Sequence, residues 1–181
     1  VWGLENICSM LDPTMRRREV LENRSTAADN RAWADGENES PNGIRLRLTE
    51  TGERYPEAGQ LAALIRQVDG QKILQVGLVQ WCAIDEDDMP FCGVQRLQGS
   101  ARKVSIVNQD DAHTERNGLL VVAKTADGRA RSLLVAPSGS LKPGGRAHVF
   151  SPHQATPIHI EAFTATHRTR QVETFEIRVL Q

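Results

Sequence analysis

The first quarter of the chain contains two groups of side chains that are suited to holding an anionic ligand. These candidate binding residues are Arg16, Arg17, Arg18, Arg24, Asn38, Ser40 and Gly43. Guanidinium groups form strong, often bidentate, hydrogen bonds to phosphates and carboxylates, while Asn and Ser side chains add neutral donors and acceptors. The residue types therefore fit a site for a charged ligand that also offers hydrogen-bonding edges.

Both groups also have an interpretation that involves no ligand. The segment NESPNG, residues 38–43, consists of residues typical of turns, because Asn and Ser side chains bond to nearby backbone and Gly accepts positive φ. The arginines at 16–18 are equally compatible with a solvated helix face that pairs with Glu19 and Glu22. At this level a turn and a ligand motif are both open.

The charge balance of the chain excludes some partners. Among 181 residues, 22 Lys and Arg stand against 23 Asp and Glu, a formal net charge of -1. Proteins that bind nucleic-acid polymers usually carry an excess of basic residues, so no such partner is expected. No apolar run approaches the roughly 20 residues of a membrane span, and no basic stretch followed by an apolar core opens the chain. We therefore predict a cytoplasmic protein without a membrane span.

The elements that position the candidate residues begin with a short helix. Apolar residues recur at helical spacing from Leu4 to Met15, and Asp12-Pro13 supplies a kink or a new helix start. Residues 25–42 have few large apolar side chains and are predicted to be loop. A helical, arginine-bearing N-terminal arm is accordingly assigned to residues 1–35.

After Gly43 the apolar period changes to two, which predicts β-strands. The strand-like runs at residues 60–68 and 72–84 flank an Asp-Gly pair, which is a strong hairpin signal. A second hairpin is predicted to turn at the acidic residues 85–88. Short antiparallel strands without long helices between them indicate a small barrel or sandwich, and of these two we assign an antiparallel β-barrel to residues 36–107.

The second half of the chain shows the same succession of short strand-like runs. The polar residues 108–118 are predicted to form a connection between domains. The five strand candidates of this half are GLLVVAKT, RSLLVAPSG, KPGGRAHVF, PIHIEAFTA and VETFEIRVL. The last two flank THRTRQ and are predicted to pair as a hairpin. The sequence therefore predicts a mainly β protein with a second small β domain at residues 108–181.

The succession of motifs in the first half is characteristic. Residues 38–43 fit the pattern Asp/Asn-x-Ser-x-x-Gly, and LQVGLVQW at 74–81 and CGVQRL at 92–97 follow at suitable separations. In this order the motifs resemble the PilZ domain, the bacterial receptor module for cyclic di-GMP. The resemblance covers about residues 16–107, a little over half of the chain.

The resemblance implies cyclic di-GMP as the ligand, with no cofactor. In PilZ domains an arginine-rich segment, usually Arg-x-x-x-Arg, wraps over the ligand. The corresponding residues here are Arg16, Arg17, Arg18 and Arg24, although no pair among them has the four-residue offset. By the same resemblance Asn38 contacts a guanine edge, Ser40 contacts the guanine or a phosphate, and Gly43 permits the tight turn.

The cysteines and histidines give no comparable signal. Cys8, Cys82 and Cys92 lack CxxC spacing, and the last two are expected on adjacent strands, as buried core thiols in preference to a bridge. The five histidines are interpreted as scattered surface residues, and Trp81 as a residue of the barrel-rim core. No nucleophile elbow or nucleotide-binding glycine fingerprint occurs. We predict no metal site and no enzymatic activity.

Two functions are compatible with these observations. In the first, cyclic di-GMP orders the arginine arm against the barrel and changes the surface that an unidentified protein partner meets. In the second, a PilZ-like interaction module binds no nucleotide and uses the apolar helical face from Leu4 to Met15 for docking or homo-oligomer formation. Replacing Arg17 and Arg18 together separates the two, because only the receptor needs both side chains for ligand binding.

Overall fold

The computed structural model describes residues 1–12, 32–51, 55–68, 71–124, 128–152, 154 and 156–180. Within these residues the fold is mainly β, as predicted, and the strands pair in antiparallel fashion. The elements are α1 (Leu4–Leu11), β1 (Ala32–Ser40), β2 (Gly43–Thr51), β3 (Leu61–Val68), β4 (Gln71–Ile84), β5 (Pro90–Arg96), β6 (Ser100–Asn108), β7 (Asp111–Lys124), β8 (Ala130–Pro137), β9 (Arg146–Phe150), β10 (Ile158–Arg168) and β11 (Val172–Val179). None of the described helical residues form a segment long and apolar enough to cross a bilayer.

The chain forms two compact units. The first contains residues 1–10 and the described residues from 32 to 98, and the second contains Leu11, Asp12 and the described residues from Gly99 onward. The sequence placed the boundary between residues 107 and 108. The structure places it nine residues earlier in the chain, because β6 pairs with β7 and β9 of the second unit.

The first unit is a curled sheet with the strand order β1-β2-β5-β4-β3. Both predicted hairpins are present: Val68 lies opposite Gln71 in the β3–β4 pair, and Ile84 lies opposite Pro90 in the β4–β5 pair. The outer edge of β3 is covered by the first residues of the chain, since the Ala63 N–H donates to the Val1 carbonyl at 2.7 Å. The first three residues of an otherwise open edge are thereby paired.

The two faces of this sheet differ in chemistry. Ile44, Leu48 and Val94 belong to a buried apolar cluster, together with Ala62, Val79 and Cys92. Side chains alternate along a strand, so Arg45 on β2 and Gly93 on β5 lie on the face opposite this cluster. The polar outer face is where the candidate site forms.

Strand β1 differs from the sequence prediction. Residues 25–42 were expected to be loop, but Ala32–Ser40 pairs with β2 along its length. Its residues are poor strand formers, and it is held by pairing with β2 and by cross-strand ion pairs of Glu37 with Arg45 and Arg47. Tertiary contacts override local propensity here.

Helix α1 confirms the helix predicted at the start of the chain. Its apolar face, however, is not a free docking surface. Leu4, Ile7 and Cys8 are buried within the chain itself. An apolar face already covered in one molecule is not available as the docking or homo-oligomer surface proposed from the sequence. Met15, the last residue of that predicted face, lies outside the described residues.

The second unit is a closed barrel in the order β10-β11-β8-β7-β6-β9. The predicted β10–β11 hairpin is confirmed, and each of the five strand candidates corresponds to one of β7 to β11. Residues 108–118, expected to be a domain connection, instead lie in the β6–β7 hairpin, where Val104 to Val107 pair with Glu115 to Gly118. The barrel interior is filled by Val104, Ile106, Leu120, Leu134, Ala136, Leu141, Ala147, Val149, Ile160, Ala162 and Phe175.

Candidate functional site

A surface groove of about 520 Å³ lies on the polar outer face of the first unit. It brings together residues from β1, β2, β4, β5 and the β1–β2 turn. The lining residues are Asn38, Ser40, Asn42, Gly43, Ile44, Arg45, Gln80, Trp81, Gly93, Val94 and Gln95. All three NESPNG residues predicted as ligand contacts are therefore in one place.

The NESPNG segment forms the turn of the β1–β2 hairpin. Ser40 lies opposite Gly43, so Pro41 and Asn42 make the two-residue connection. The Ser40 hydroxyl accepts a hydrogen bond from the Gly43 N–H at 3.1 Å. This hydroxyl is thus occupied in shaping the turn.

The need for glycine at position 43 differs from the tight turn that the resemblance implied. Positive φ, which a tight turn often requires, occurs at six other described glycines but not at Gly43. A Cβ at this position would lie 3.1 Å from the carbonyl oxygen of Val94 on β5. The missing side chain therefore allows the close approach of β2 and β5 at the groove floor.

Two side chains from the end of the first unit hold the turn in position. Arg96, whose side chain is only 8% exposed, donates from Nη1 to the Ser40 carbonyl at 3.1 Å. Its backbone N–H donates to the Asn42 carbonyl at 2.9 Å, and the Gln98 amide donates to the Pro41 carbonyl at 2.6 Å. The turn is therefore pre-organised.

Carboxylates on β1 organise the arginines around the groove. Glu39 pairs with Arg66 and Arg96, and hydrogen bonds from these two guanidinium groups lower the pKa of Glu39 below its ordinary value. Glu37 sits at a β-bulge and pairs with Arg45 at 2.9 Å and Arg47 at 2.5 Å. Because each of these guanidinium groups already has a carboxylate partner, the groove offers hydrogen bonds and apolar surface more than unpaired cations.

Trp81 supplies the largest apolar surface of the groove. A bulge at Gln80 brings Trp81 opposite Gly93, and a Cβ at Gly93 would overlap the indole ring. The ring therefore lies against the Gly93 backbone, and the residue is 42% exposed. The Trp81 ring makes an edge-to-face contact with Phe91, with 5.6 Å between the ring centroids. The Arg45 guanidinium lies over the Phe91 ring, 4.3 Å from its centroid.

An amide pair lies beside this ring. Gln80 Nε2 donates to Gln95 Oε1 at 3.0 Å, and both residues line the groove. Such a pair retains unused donors and acceptors that a ligand edge can meet. The sequence prediction does not include Arg45, Gln80 and Gln95, and it interprets Trp81 as a core residue. The alternation in GIRLRL was the one available signal for Arg45, because it places this side chain on the outer face.

The predicted basic residues are not part of the described geometry. Arg16, Arg17, Arg18 and Arg24 lie outside the described residues. Within the described ranges no group of three or more His, Cys, Asp or Glu side chains is arranged to hold a metal ion.

The cysteines follow the prediction in part. Cys82 lies directly opposite Cys92 on adjacent strands, and all three cysteines are free thiols. Cys8 and Cys92 are buried, and burial raises the pKa of Cys92 to about 11. Cys82 is exposed, contrary to the expectation of a buried thiol, and its Sγ contacts the Pro56 carbonyl at 3.1 Å. Partial burial of the Cys82 thiol also raises its pKa. The Cys82 and Cys92 thiols are therefore predominantly protonated at neutral pH.

The fold and the groove together define a two-unit β protein with a surface site rich in amides and aromatic surface. The chain matches no protein-family model, no curated protein and no solved structure.

Proposed function

We propose that this protein is a non-enzymatic bacterial receptor for cyclic di-GMP, of the PilZ type, acting in the cytoplasm. The observation that carries the proposal is the meeting of Asn38, Ser40 and Gly43 with the exposed Trp81 ring in one groove. A guanine base presents a flat π-face and a distinct set of donors and acceptors on its edges. A shallow surface groove with an aromatic platform and flanking amides is complementary to both features.

The groove residues divide the recognition of the base between them. The solvent-facing side of Trp81 stacks on the purine, an interaction worth about 1–3 kcal/mol per base. The amides of Asn38 and Gln95 meet the edge of guanine, because each carries both donors and an acceptor. Ser40 acts through the turn geometry, since its hydroxyl is bonded to the Gly43 N–H.

The two phosphates of the ligand need cations from another segment. Arg45 and Arg47 are engaged with Glu37. The proposed source is the basic segment with Arg16, Arg17, Arg18 and Arg24. These arginines gain charge-assisted partners only in the docked state, so binding orders the segment over the groove and alters the surface presented to a protein partner.

One observation favours a second function, that of an interaction module without nucleotide. The local arginines are paired with carboxylates on β1, so a phosphate has to compete with Glu37 and Glu39 for their guanidinium groups. In that case the exposed Trp81 is an anchor for a protein partner, because Trp is enriched at the centres of interfaces.

Isothermal titration calorimetry of the full chain with cyclic di-GMP, with GTP as control, separates the two functions. The receptor is expected to bind at micromolar Kd or tighter and to prefer cyclic di-GMP to GTP. Asn38→Ala and the double replacement Arg17→Ala/Arg18→Ala are each expected to weaken binding by about tenfold or more.

A matched control is Arg170→Ala, an exposed arginine of the second unit. It is expected to leave binding unchanged. Absence of heat with the wild-type chain at high concentration refutes the receptor and directs attention to protein partners. Equal loss of binding in all variants, with unfolding seen by circular dichroism, indicates a damaged fold.

A further inference from the structure

The closed barrel brings two histidines into contact across adjacent strands. His148 on β9 lies directly opposite His159 on β10, and their ring centroids are 4.4 Å apart with an interplanar angle of 65°. Their sequence neighbours Ala147, Val149 and Ile160 are buried in the barrel interior. By strand alternation both imidazoles therefore lie on the outer surface, where a solvated ion has access.

The chemistry of this pair is that of a chelating site. We infer that His148 and His159 form a two-ligand site for a divalent transition-metal ion such as Zn²⁺ or Ni²⁺. Imidazole nitrogen is a preferred ligand for both ions, and two rings held by a rigid sheet lose little conformational entropy on binding. Water molecules fill the remaining coordination positions.

A third residue orients one of the rings. The Gln109 Nε2 lies 3.3 Å from His148 Nε2, so in this orientation the amide nitrogen donates to the ring nitrogen. After a 180° rotation of the amide, its oxygen accepts the Nε2 proton and leaves the Nδ1 lone pair of His148 free for a metal. The inferred metal-bound state therefore includes this rotation of Gln109.

The charges nearest to the pair partly cancel. Arg146 and Glu161 form the next opposed pair on the same face of these two strands, and Arg178 of β11 lies opposite Glu161. On the other side, Val107 of β6 lies opposite His148, and the neutral Gln109 follows β6 in the chain. Only neutral imidazole binds a metal, so protons compete with the ion for the two rings.

The absence of a larger ligand set determines the kind of site. Among the described residues no group of three or more His, Cys, Asp or Glu side chains could hold a metal ion. Structural zinc sites use four protein ligands, so this pair fits reversible, open coordination on the barrel surface. The site is independent of the nucleotide groove, and either proposal can fail alone.

The experiment is a calorimetric titration of the full chain with ZnCl₂ or NiCl₂ in a non-chelating buffer at pH 7.5, repeated at pH 5.5. We expect one ion per chain at pH 7.5 and binding weakened by about tenfold or more at pH 5.5, because protons compete with the metal for the imidazole nitrogens. His148→Gln and His159→Gln are each expected to weaken binding by on the order of tenfold or more, because loss of a direct ligand exceeds loss of an outer partner.

The matched control is His113→Gln, an exposed histidine on β7. It is expected to bind the ion as the wild-type chain does. No saturable binding at pH 7.5, or unchanged binding in both the His148 and His159 variants, overturns the inference and leaves the two rings as an edge-to-face surface contact. Unchanged circular dichroism of the variants confirms that they report on the site and not on folding.

Discussion

The two units of this protein achieve a β fold in different ways. The second unit closes into a barrel, so its six strands leave no edge unpaired, and its interior side chains reach complete burial at Phe175 and Leu134. The first unit is a curled sheet in which β3 is covered by residues 1–3 and β1 carries acidic side chains along its length. Both units contain completely buried apolar side chains, such as Leu61 in the first, but in the open unit strand β1 and its turn are also held by ion pairs and side-chain hydrogen bonds.

The difference shows where a ligand site can form. In the barrel, interior space is filled and the outer surface carries small, local features such as the His148–His159 pair. In the open sheet, Gly93 and Gly43 remove side chains from the outer face and leave room between Trp81 and the β1–β2 turn. A groove of useful size therefore belongs to the open sheet, whose outer face has glycines beside an aromatic ring.

The largest expected effect comes from the barrel interior. Phe175→Ala removes a fully buried ring and is expected to lower the free energy of unfolding of the second unit by about 3–5 kcal/mol. The measurement is urea denaturation, monitored through amide hydrogen exchange in β7, β8 and β11. The control is Phe163→Ala, since Phe163 is 53% exposed and its loss is expected to cost less than about 0.5 kcal/mol. Equal effects at the two positions contradict the assigned core.

The next effect concerns the support of Trp81. Gly93→Ala introduces a methyl group where the indole ring lies, so the ring must move, at a cost of about 1–3 kcal/mol for overpacking. All three tryptophans precede residue 99, so tryptophan fluorescence reports on the first unit. We expect a changed emission spectrum and weakened cyclic di-GMP binding. The control is Gly36→Ala, where the added methyl only reaches ordinary contact with Ile44; an unaltered spectrum at Gly93→Ala speaks against the assigned ring position.

A smaller effect is expected from the arginine that holds the turn. Arg96→Met removes the hydrogen bond to the Ser40 carbonyl, which is worth about 1.5 kcal/mol for a charged donor. Arg66→Met is the matched control, because Arg66 pairs with the same Glu39 but does not contact the turn backbone in any described hydrogen bond. Thermal unfolding followed by tryptophan fluorescence measures both. If Arg66→Met is as damaging as Arg96→Met, the stabilisation lies in the Glu39 ion pairs and not in the turn contact.

The smallest effect is a dependence on pH. The pKa of Glu39 is lowered by hydrogen bonds from Arg66 and Arg96, so its carboxylate favours the folded state above the unfolded pKa, near 4.5. This contribution is lost as the pH falls through the lower folded pKa. Amide chemical shifts of Asn42 and Gly43, recorded between neutral pH and pH 3, are expected to follow this titration in the wild type. In Glu39→Gln the transition should be absent, and its persistence would show that another carboxyl governs the turn.

Much of the secondary structure could be predicted from the sequence. The Asp-Gly pair between two apolar runs and the acidic turn before residue 90 each marked a hairpin that the structure contains. These signals are local, because turn chemistry and period-two alternation act within a few residues. The five strands from β7 to β11 were predictable for the same reason.

The misplaced features depend on contacts between distant residues. Alternation from Val79 places Trp81 on the core face, but the bulge at Gln80 turns it outward against Gly93, 12 residues later. Strand β1 lacks a strand-like composition and exists because β2 pairs with it. The meeting of His148 with His159 required the barrel register, which is fixed by the whole closed sheet.

The central claim is that the nucleotide site lies on the open sheet and not on the closed barrel. Its most direct test is a titration of the isotopically labelled chain with cyclic di-GMP, followed by backbone amide NMR shifts. We predict saturable shifts at residues 38–45, 80–81 and 93–95, with the amides of β7, β8 and β11 unchanged. Groove amides that stay unshifted at saturating ligand, or shifts confined to the barrel strands, would contradict the account.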